Sequence, residues 1–442
     1  GQPGGWGRAS PVGGPALARV SGRGFLALVA AALVLSAAWG GADAQDIVLE
    51  DSDKYAWVYA VGDNGAVLRS TNAGETWRVQ DQADTGTRQN LMDVFFFDAR
   101  SGYAVGENGA VIVTQNAGLS WDGVELLDDE GAATPKVNLT SVHLQRFPGP
   151  AYLVGHGGLF ARSDGGEAWE MLAVWCRGSA CASAPYGDAA PPAEGYARVG
   201  RLQSVRFKDT SNGLIVGDDG TVLLTKDGGG EAPTFERIQV FDEASRPWPN
   251  ITHIDMDDLG YMVIVGDRGV VFKVRHSKNE ANDKLDFDFK GCNLEEGCKA
   301  AVPAPVRTTA GGCSVGESHL SAANTLPMSD DGKDLIMVAG TQGFAARLDE
   351  SADAAKWALL AVPVVHPLER ITSLYASTAN TQVLVTDRGN IYRTQDGSAE
   401  APTFVRVAVP EGFRFHRVVG RNAADESPAG ALRPGGWGWG LS

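Results

Sequence analysis

Cysteine, histidine and basic residues are scarce in this chain, and each shortage removes a class of function. Of 442 residues, 5 are cysteine and 7 are histidine. The histidines are scattered, with no His-x-His and no His-Glu-x-x-His, so no metallohydrolase signature is present. Lysine and arginine total 38 against 54 acidic residues, a formal charge of −16. An acidic balance disfavours a nucleic-acid partner, which needs a basic footprint. The Gly-x-x-Gly elements have no helical pattern after them and read as hairpin turns, not phosphate cradles.

Long apolar runs are also missing. Phe25–Ala38 covers 14 residues, short of the about 20 that a membrane helix needs. Arg8, Arg19 and Arg23 precede it, and Ala42-Asp43-Ala44 follows. Residues 1–44 therefore read as a signal peptide cleaved near Ala44, with a retained anchor as the alternative. There is no twin-arginine pair and no cysteine at the cleavage point, so neither that export route nor a lipoprotein anchor is indicated. After cleavage the balance is 35 basic against 53 acidic residues, or −18. Such a charge suits a soluble exported protein, whether periplasmic, lumenal or extracellular.

The few cysteines are paired in sequence. Cys176 and Cys181 lie in Cys-Arg-Gly-Ser-Ala-Cys, and Cys292 and Cys298 in Cys-Asn-Leu-Glu-Glu-Gly-Cys. Each pair can close a small-loop disulfide in an oxidising compartment. Neither has Cys-x-x-Cys spacing or a nearby histidine, which weighs against zinc. Cys313 is left over.

Glycine is plentiful, at 56 residues, and it marks a repeat. Tyr59–Trp77 contains Val-Gly-Asp-Asn-Gly-Ala-Val, and Tyr103–Trp121 is a near copy. Weaker copies lie at Tyr152–Trp169, Leu214–Phe235, Met262–Val274, Ile336–Leu348 and Val383–Thr394. Asn64-Gly65 is a strong two-residue hairpin signal, since both residues tolerate positive φ. Asn108-Gly109, Asp219-Gly220, Arg268-Gly269, Gln342-Gly343 and Arg388-Gly389 repeat it, with His156-Gly157 as a looser equivalent. The leading residues Gly62, Gly106, Gly155, Gly217, Gly266, Gly340 and Thr386 are separated by 44, 49, 62, 49, 74 and 46. The shorter intervals match four-stranded propeller blades.

One more alternating strand precedes each copy, at Met92–Phe97, Leu139–Leu144, Leu202–Phe207, Ile251–Met256, within Ser314–Leu326, and at Ile371–Ala376. The first copy lacks one, and a spare lies in Phe413–Val419. The expectation is an all-β, seven-bladed β-propeller over 45–421, closed by pairing of the C-terminal strand with the first blade, which removes exposed sheet edges. The two long intervals place insertions at 173–200 and 277–328. The tail 422–442, rich in Gly, Pro and Trp, is expected to be disordered.

The second turn of each copy carries Ser/Thr-x-Asp/Asn-x-Gly-x-x-Trp/Phe. These are Ser70, Asn72, Gly74 and Trp77, then Thr114, Asn116, Gly118 and Trp121. The third copy has Asp164, Gly166 and Trp169, with Arg162 at the hydroxyl position. The fourth has Thr225, Asp227 and Gly229 with Phe235 displaced, and the seventh Thr394, Asp396 and Phe404. A short carboxylate or amide side chain bonds backbone N–H groups within its own turn, and glycine supplies positive φ. A recurring acid that is often Asn reads as structural, so no catalytic, metal or cofactor role is assigned to these residues.

This motif is the Asp-box. Joined to the Val-Gly-x-x-Gly strand pair, it resembles the photosystem II stability/assembly factor-like (Asp-box/BNR repeat) β-propellers over roughly Trp57 to Val419. The Asp-box alone is shared with sialidases, sortilin-type receptors and xyloglucan hydrolases. The resemblance implies a non-enzymatic exported scaffold that binds a protein partner, a photosystem subunit during assembly in the photosynthetic members. No nucleic-acid partner and no cofactor are expected, with a membrane role that is peripheral at most and a monomeric state. The alternative is a secreted Asp-box glycoside hydrolase or carbohydrate-binding propeller, which needs two carboxylates at a defined separation. The Phe/Tyr-Arg-Ile-Pro segment that opens sialidases is absent.

In a propeller the repeat hairpins and the inter-blade loops share one face. That brings together Arg268, Arg388, His156 and, from the first insertion, Trp175 and Tyr186, the residue types favoured at interface centres. Asn138-Leu139-Thr140 and Asn250-Ile251-Thr252 fit glycosylation acceptors in a eukaryotic secretory setting.

Overall fold

The computed structural model describes residues 56–422, apart from 81–84, 129, 167, 188–189, 231, 242–246, 258, 279–284, 292–312, 315–318, 328–333, 351–356 and 411. The expected leader, the Cys292–Cys298 pair and the tail beyond Asn422 lie outside the described residues. The described part is all-β and folds as a β-propeller.

Strands follow the repeat. The first copy gives β1 (Ala56–Gly62), β2 (Val67–Ser70) and β3 (Arg78–Gln80). The second gives β4 (Leu91–Phe96), β5 (Gly102–Gly106), β6 (Val111–Thr114) and β7 (Asp122–Gly123). Next come β8 (Leu139–Leu144), β9 (Ala151–Gly155), β10 (Leu159–Ser163) and β11 (Glu170–Arg177). The first insertion supplies β12 (Ala180–Pro185) and β13 (Ala197–Arg198). The fourth copy is β14 (Leu202–Phe207), β15 (Gly213–Gly217), β16 (Thr221–Thr225) and β17 (Thr234–Arg237). The fifth is β18 (Ile251–Met256), β19 (Met262–Gly266), β20 (Val270–Lys278) and β21 (Leu285–Gly291), with β22 (Cys313–Ser314) beside it. The sixth is β23 (Leu320–Pro327), β24 (Asp334–Gly340), β25 (Ala345–Asp349) and β26 (Trp357–Leu359). The seventh is β27 (Ile371–Ala376), β28 (Gln382–Thr386), β29 (Ile391–Thr394) and β30 (Val405–Val407). The chain ends in β31 (Phe415–Asn422).

These strands form six hydrogen-bonded sheets, not seven. Three are simple four-stranded meanders, a fourth, β3-β2-β1-β31, is completed by the last strand, and the fifth-copy sheet gains β22 as an extra strand. The tally falls short because the first insertion is not a loop. It is a hairpin, β11–β12, whose second strand pairs with β17 of the following copy through Ala180↔Glu236, Cys181↔Phe235 and Ala182↔Thr234. Two units thereby merge into one ten-stranded sheet. A Cys176–Cys181 disulfide clips this hairpin. The last strand starts two residues later and ends three residues later than the sequence suggests, and it pairs antiparallel with β1 from Ala56↔Asn422 to Gly62↔Phe415.

The innermost strands β31, β4, β8, β14, β18, β23 and β27 pack in a cycle, each against the next and the last against the first. Hydroxyls at their second positions stitch neighbours together: Thr252 Oγ1 donates to Leu320 O (2.7 Å), Ser321 Oγ to Ile371 O (2.6 Å) and Thr372 Oγ1 to Phe415 O (2.8 Å). Apolar layers fill the space between units. Tyr59 stacks on Phe96 at 4.0 Å between ring centroids, and Tyr152 on Phe207 at 3.7 Å. Such pairs add to the burial of large side chains.

The hairpin signals are realised with one shift. Asn64 (φ 57°, ψ 30°) and Gly65 (φ 71°) are the central pair of a type I′ turn. In the third copy the pair is Gly157 (φ 63°) and Gly158 (φ 67°), one residue later than His156-Gly157. Arg388 is not at positive φ, and Gly389 alone carries it. The leading glycines are needed for a different reason, since Gly106 is extended at φ −168°. A Cβ there would lie 1.9 Å from Asn90 O, the carbonyl that receives the Glu107 N–H. Gly106→Ala is therefore expected to cost about 3 kcal/mol as overpacking. Gly123→Ala, with nothing within 4 Å, serves as the control. Urea unfolding checks both, and equal midpoints would refute this account of the repeat glycine.

Candidate functional site

Three asparagines organise the face that carries the hairpin turns. Each stands just before an innermost strand and receives the turn of the preceding unit: Asn64 N donates to Asn90 Oδ1 (2.9 Å), Asn108 N to Asn138 Oδ1 (2.9 Å) and Asp219 N to Asn250 Oδ1 (3.1 Å). Their backbone carbonyls receive N–H groups from the turn of their own unit, Glu107, His156 and Asp267. The two glycosylation-type sequences are thus built into inter-unit clamps, with Thr140 buried and Asn250 Nδ2 donating to Asp267 Oδ2 at 3.0 Å. Where the asparagine is missing, other pairs take over. His416 Nε2 meets Asp63 Oδ1 at 2.7 Å, and His319 Nδ1 meets Asp267 Oδ1 at 3.0 Å.

The proposed interface residues separate into two groups on this face. His156, Tyr186 and Trp175 come together around Arg198. Its guanidinium lies 4.4 Å from the Tyr186 ring and 5.8 Å from the Trp175 ring, its Nε donates to Gly157 O (2.7 Å), and Tyr186 Oη donates to His156 O (2.9 Å). Burial and the Arg201 charge lower the His156 pKa, and burial raises that of Tyr186. Trp175 is buried, so it supports this cluster from below and is not a surface anchor. Arg268 and Arg388 are exposed on the turns of other units. Arg388 borders a cavity of about 350 Å³ with Asp387, Phe413 and Arg414. Exposed Arg370 holds Asp387 through its backbone N–H (3.0 Å), and the preceding loop exposes Val365 and Leu368. Buried Glu369 fixes that loop by accepting from Asn390 Nδ2 (2.6 Å) and Val365 N (3.1 Å).

The Asp-box turns occupy the opposite ends of the strands. Ser70 Oγ accepts from Gly74 N, Asn72 Oδ1 accepts from Thr76 N, and Trp77 Nε1 donates to Gly74 O (2.9, 2.9 and 3.0 Å). Thr114 and Asn116 repeat this with Gly118 and Ser120. Asp227 and Asp396 span their longer turns to Thr234 N and Thr403 N, both at 2.9 Å. In the third copy Ser163, not Arg162, takes the hydroxyl role, accepting from Gly166 N at 2.8 Å. Arg162 instead reaches Gly229 O in the next unit, and Arg393 likewise donates to Ala73 O at 2.8 Å. Gly229 is not at positive φ. A Cβ there would sit 2.8 Å from Thr210 O.

A third set of residues, not legible in the repeat pattern, lines the axis. Alternate positions of the innermost strands point the same way, which places Asp93, Ser141, Ser204, His253 and Arg417 in one layer. Arg417 Nη1 donates to His253 Nε2 at 2.7 Å, a contact between units that are not neighbours in the cycle, and its Nε lies 3.1 Å from Asp93 Oδ1. Asp93 Oδ2 accepts from Ser141 Oγ (2.7 Å) and Val142 N (3.0 Å). Burial and the Arg417 and Arg206 charges hold His253 well below its ordinary pKa, as its role as acceptor from Arg417 requires. Among the described residues no three His, Cys, Asp or Glu side chains form a metal site.

Residues 33–113 match the family model of the photosynthesis system II assembly factor YCF48. The chain resembles that family of BNR-repeat β-propellers. No curated protein matches the sequence. Among solved structures, similarity extends to YCF48 bound to D1 peptide at 16% identity, covering 83% of this chain and 88% of that one, with a TM-score of 0.44. YCF48 from Cyanidioschyzon merolae follows at 15% identity, 74% and 87% coverage and a TM-score of 0.46. A GH74 xyloglucanase from Xanthomonas campestris is similar at 13% identity and a TM-score of 0.48, covering 79% of this chain and 52% of that one. The stretch that matches the family model ends in β6, one residue before Thr114, so it takes in the first Asp-box turn and stops short of the second.

Proposed function

We propose that the chain is a non-enzymatic, exported, protein-binding scaffold of the photosystem II assembly-factor type. It is read as a ring of seven four-stranded blades in which β31 completes the first blade. The match of residues 33–113 to the family model carries the reading. The pairing of β31 with β1 and the cyclic packing of the innermost strands support the blade count and closure. The partner is a protein segment, of the kind held in the YCF48–D1 peptide structure. The docking surface is the hairpin-turn face around Arg370, Arg388 and Arg414, where exposed Val365 and Leu368 add apolar contact. Guanidinium groups beside apolar side chains suit an acidic peptide with hydrophobic anchors.

The hydrolase alternative is less well supported. Asp93 is occupied by Arg417, Ser141 and Val142, and Asp255 Oδ2 accepts from Thr325 N (2.8 Å) and Asn324 Nδ2 (3.1 Å). Both carboxylates are engaged by partners within the protein. The test is affinity capture from the native source with the wild-type chain and an Arg388→Glu/Arg414→Glu variant. At least a tenfold loss of the captured partner is expected. Equal recovery would remove this face from the reading, and turnover of a xyloglucan oligosaccharide would replace the reading altogether.

A further inference from the structure

The fourth and seventh copies carry the same insertion, Glu231-Ala232-Pro233-Thr234-Phe235 and Glu400-Ala401-Pro402-Thr403-Phe404. Both close it alike, the Asp-box carboxylate accepting from Thr234 N or Thr403 N at 2.9 Å. Each insertion leads into the outer strand of its unit, and the inner pairings match, Leu223↔Arg237 in one and Tyr392↔Arg406 in the other. The outer edges differ. β12 lies along β17, where Arg237 N donates to Ser179 O and Ser183 Oγ to Pro233 O, both at 2.8 Å. β30 ends its sheet, and among the described residues no strand pairs with its outer side. The shared register points the Arg406 N–H to that open side, as it points the Arg237 N–H to β12. Proteins usually guard such an edge with charge, because its unpaired groups are a template for another strand. The fourth copy has Glu236 where the seventh has Val405, which is 61% exposed. A cavity of about 570 Å³ runs beside β30, lined by Val405, Val407, Arg393, Gln395 and Glu75. Arg406 is exposed and, among the described residues, forms no ion pair.

We propose that β30 is a docking site in its own right, taking an extended segment of a partner protein as an added antiparallel strand. The segment has an apolar residue opposite Val405 and an acidic one opposite Arg406, and small residues beyond them, as Ala182 and Ser183 stand against the fourth copy. Main-chain hydrogen bonds supply the attachment, and the Val405 and Arg406 side chains choose the sequence. A second copy of this chain fits less well, because antiparallel pairing centred on Arg406 sets two arginines directly opposite each other.

The probe is a fluorescent, capped peptide with the sequence of Ser179–Pro185 carrying Ser179→Asp, Ala180→Val and Cys181→Ser, offered to the full chain. Fluorescence polarisation is expected to show saturable one-to-one binding. Arg406→Pro removes the outward N–H and leaves the inward pairing, a change that edge strands tolerate, and should weaken binding roughly tenfold. Arg406→Ala keeps that N–H and loses the cation, so about a twofold to fivefold loss is expected. Hydrogen–deuterium exchange on the unmodified chain locates the site without any variant: saturating peptide should slow exchange in β30 and leave β17 and β26 as they were. Absence of saturable binding, protection at β17 or β26 in place of β30, or equal affinity in Arg406→Pro would each overturn the proposal. So would a concentration-dependent dimer in sedimentation that Arg406→Pro dissolves, since the edge would then belong to a second copy.

Discussion

A chain ended after Arg414 should lose cooperative unfolding. The deletion removes β31, and with it every backbone hydrogen bond to β1 and the fully buried Phe415. It also removes the Arg417 side chain that reaches His253 and Asp93. Deleting a buried phenylalanine side chain alone costs about 3–5 kcal/mol. Leaving Asp93 buried without its cation costs about as much again. Together these approach the whole stability of an ordinary domain, about 5–15 kcal/mol. Circular dichroism on heating is the measurement, and Phe415→Ala is the milder companion, still folded but about 3–5 kcal/mol less stable. A truncated chain that melts sharply within a few degrees of the intact one would show that β31 is dispensable.

Replacing Asp257 by asparagine should stabilise the protein at pH 8 and change little at pH 4. Asp257 is 5% exposed, with Oδ1 accepting from Tyr261 N at 2.8 Å and Oδ2 lacking a partner. Burial, followed by the nearby Asp334 carboxyl, pushes its pKa up to about 7 from an ordinary 3.8. The folded chain therefore keeps a proton that the unfolded chain releases near pH 4. The resulting stabilisation is full below that pH and is lost as pH rises through about 7. A displacement of this size corresponds to at most about 4 kcal/mol. Asparagine cannot ionise, so the variant should lack this part of the slope. Urea midpoints of both proteins from pH 4 to pH 8 decide it, and parallel profiles would sink the idea. Asp334 lies in the same patch, fully buried and 2.5 Å from Lys273 Nζ, which keeps the local charge compensated only in part.

Much of the architecture could be read from the repeat because turn chemistry is local. Asn64-Gly65 and Asn108-Gly109 demand positive φ wherever they occur, so the strands on either side follow. The third Asp-box departs from the expected register by one residue for the same local reason. Its turn is shorter, and Ser163 rather than Arg162 comes into register opposite Ala151. The sixth innermost strand had no clean alternation in Ser314–Leu326 and was found only as β23. What the sequence could not reveal depends on how units meet. Arg206, His253 and Arg417 are ordinary polar residues in alternating strands, and only the cyclic packing turns that face inward. Asn138 and Asn250 looked like modification signals because a three-residue pattern says nothing about the turn waiting in the neighbouring unit. The insertion hairpin was legible as a disulfide loop, but its pairing with β17 joins segments about fifty residues apart.

That last pairing has a consequence for how the native state loosens. Elsewhere adjacent units are held mainly by side chains, so a local fluctuation can expose the amides of one unit and leave its neighbour protected. Where β12 bridges to β17, opening either unit means breaking the backbone bonds of a shared sheet. The two should therefore exchange their slowest amide hydrogens as one block, larger and more resistant than any other part of the circle.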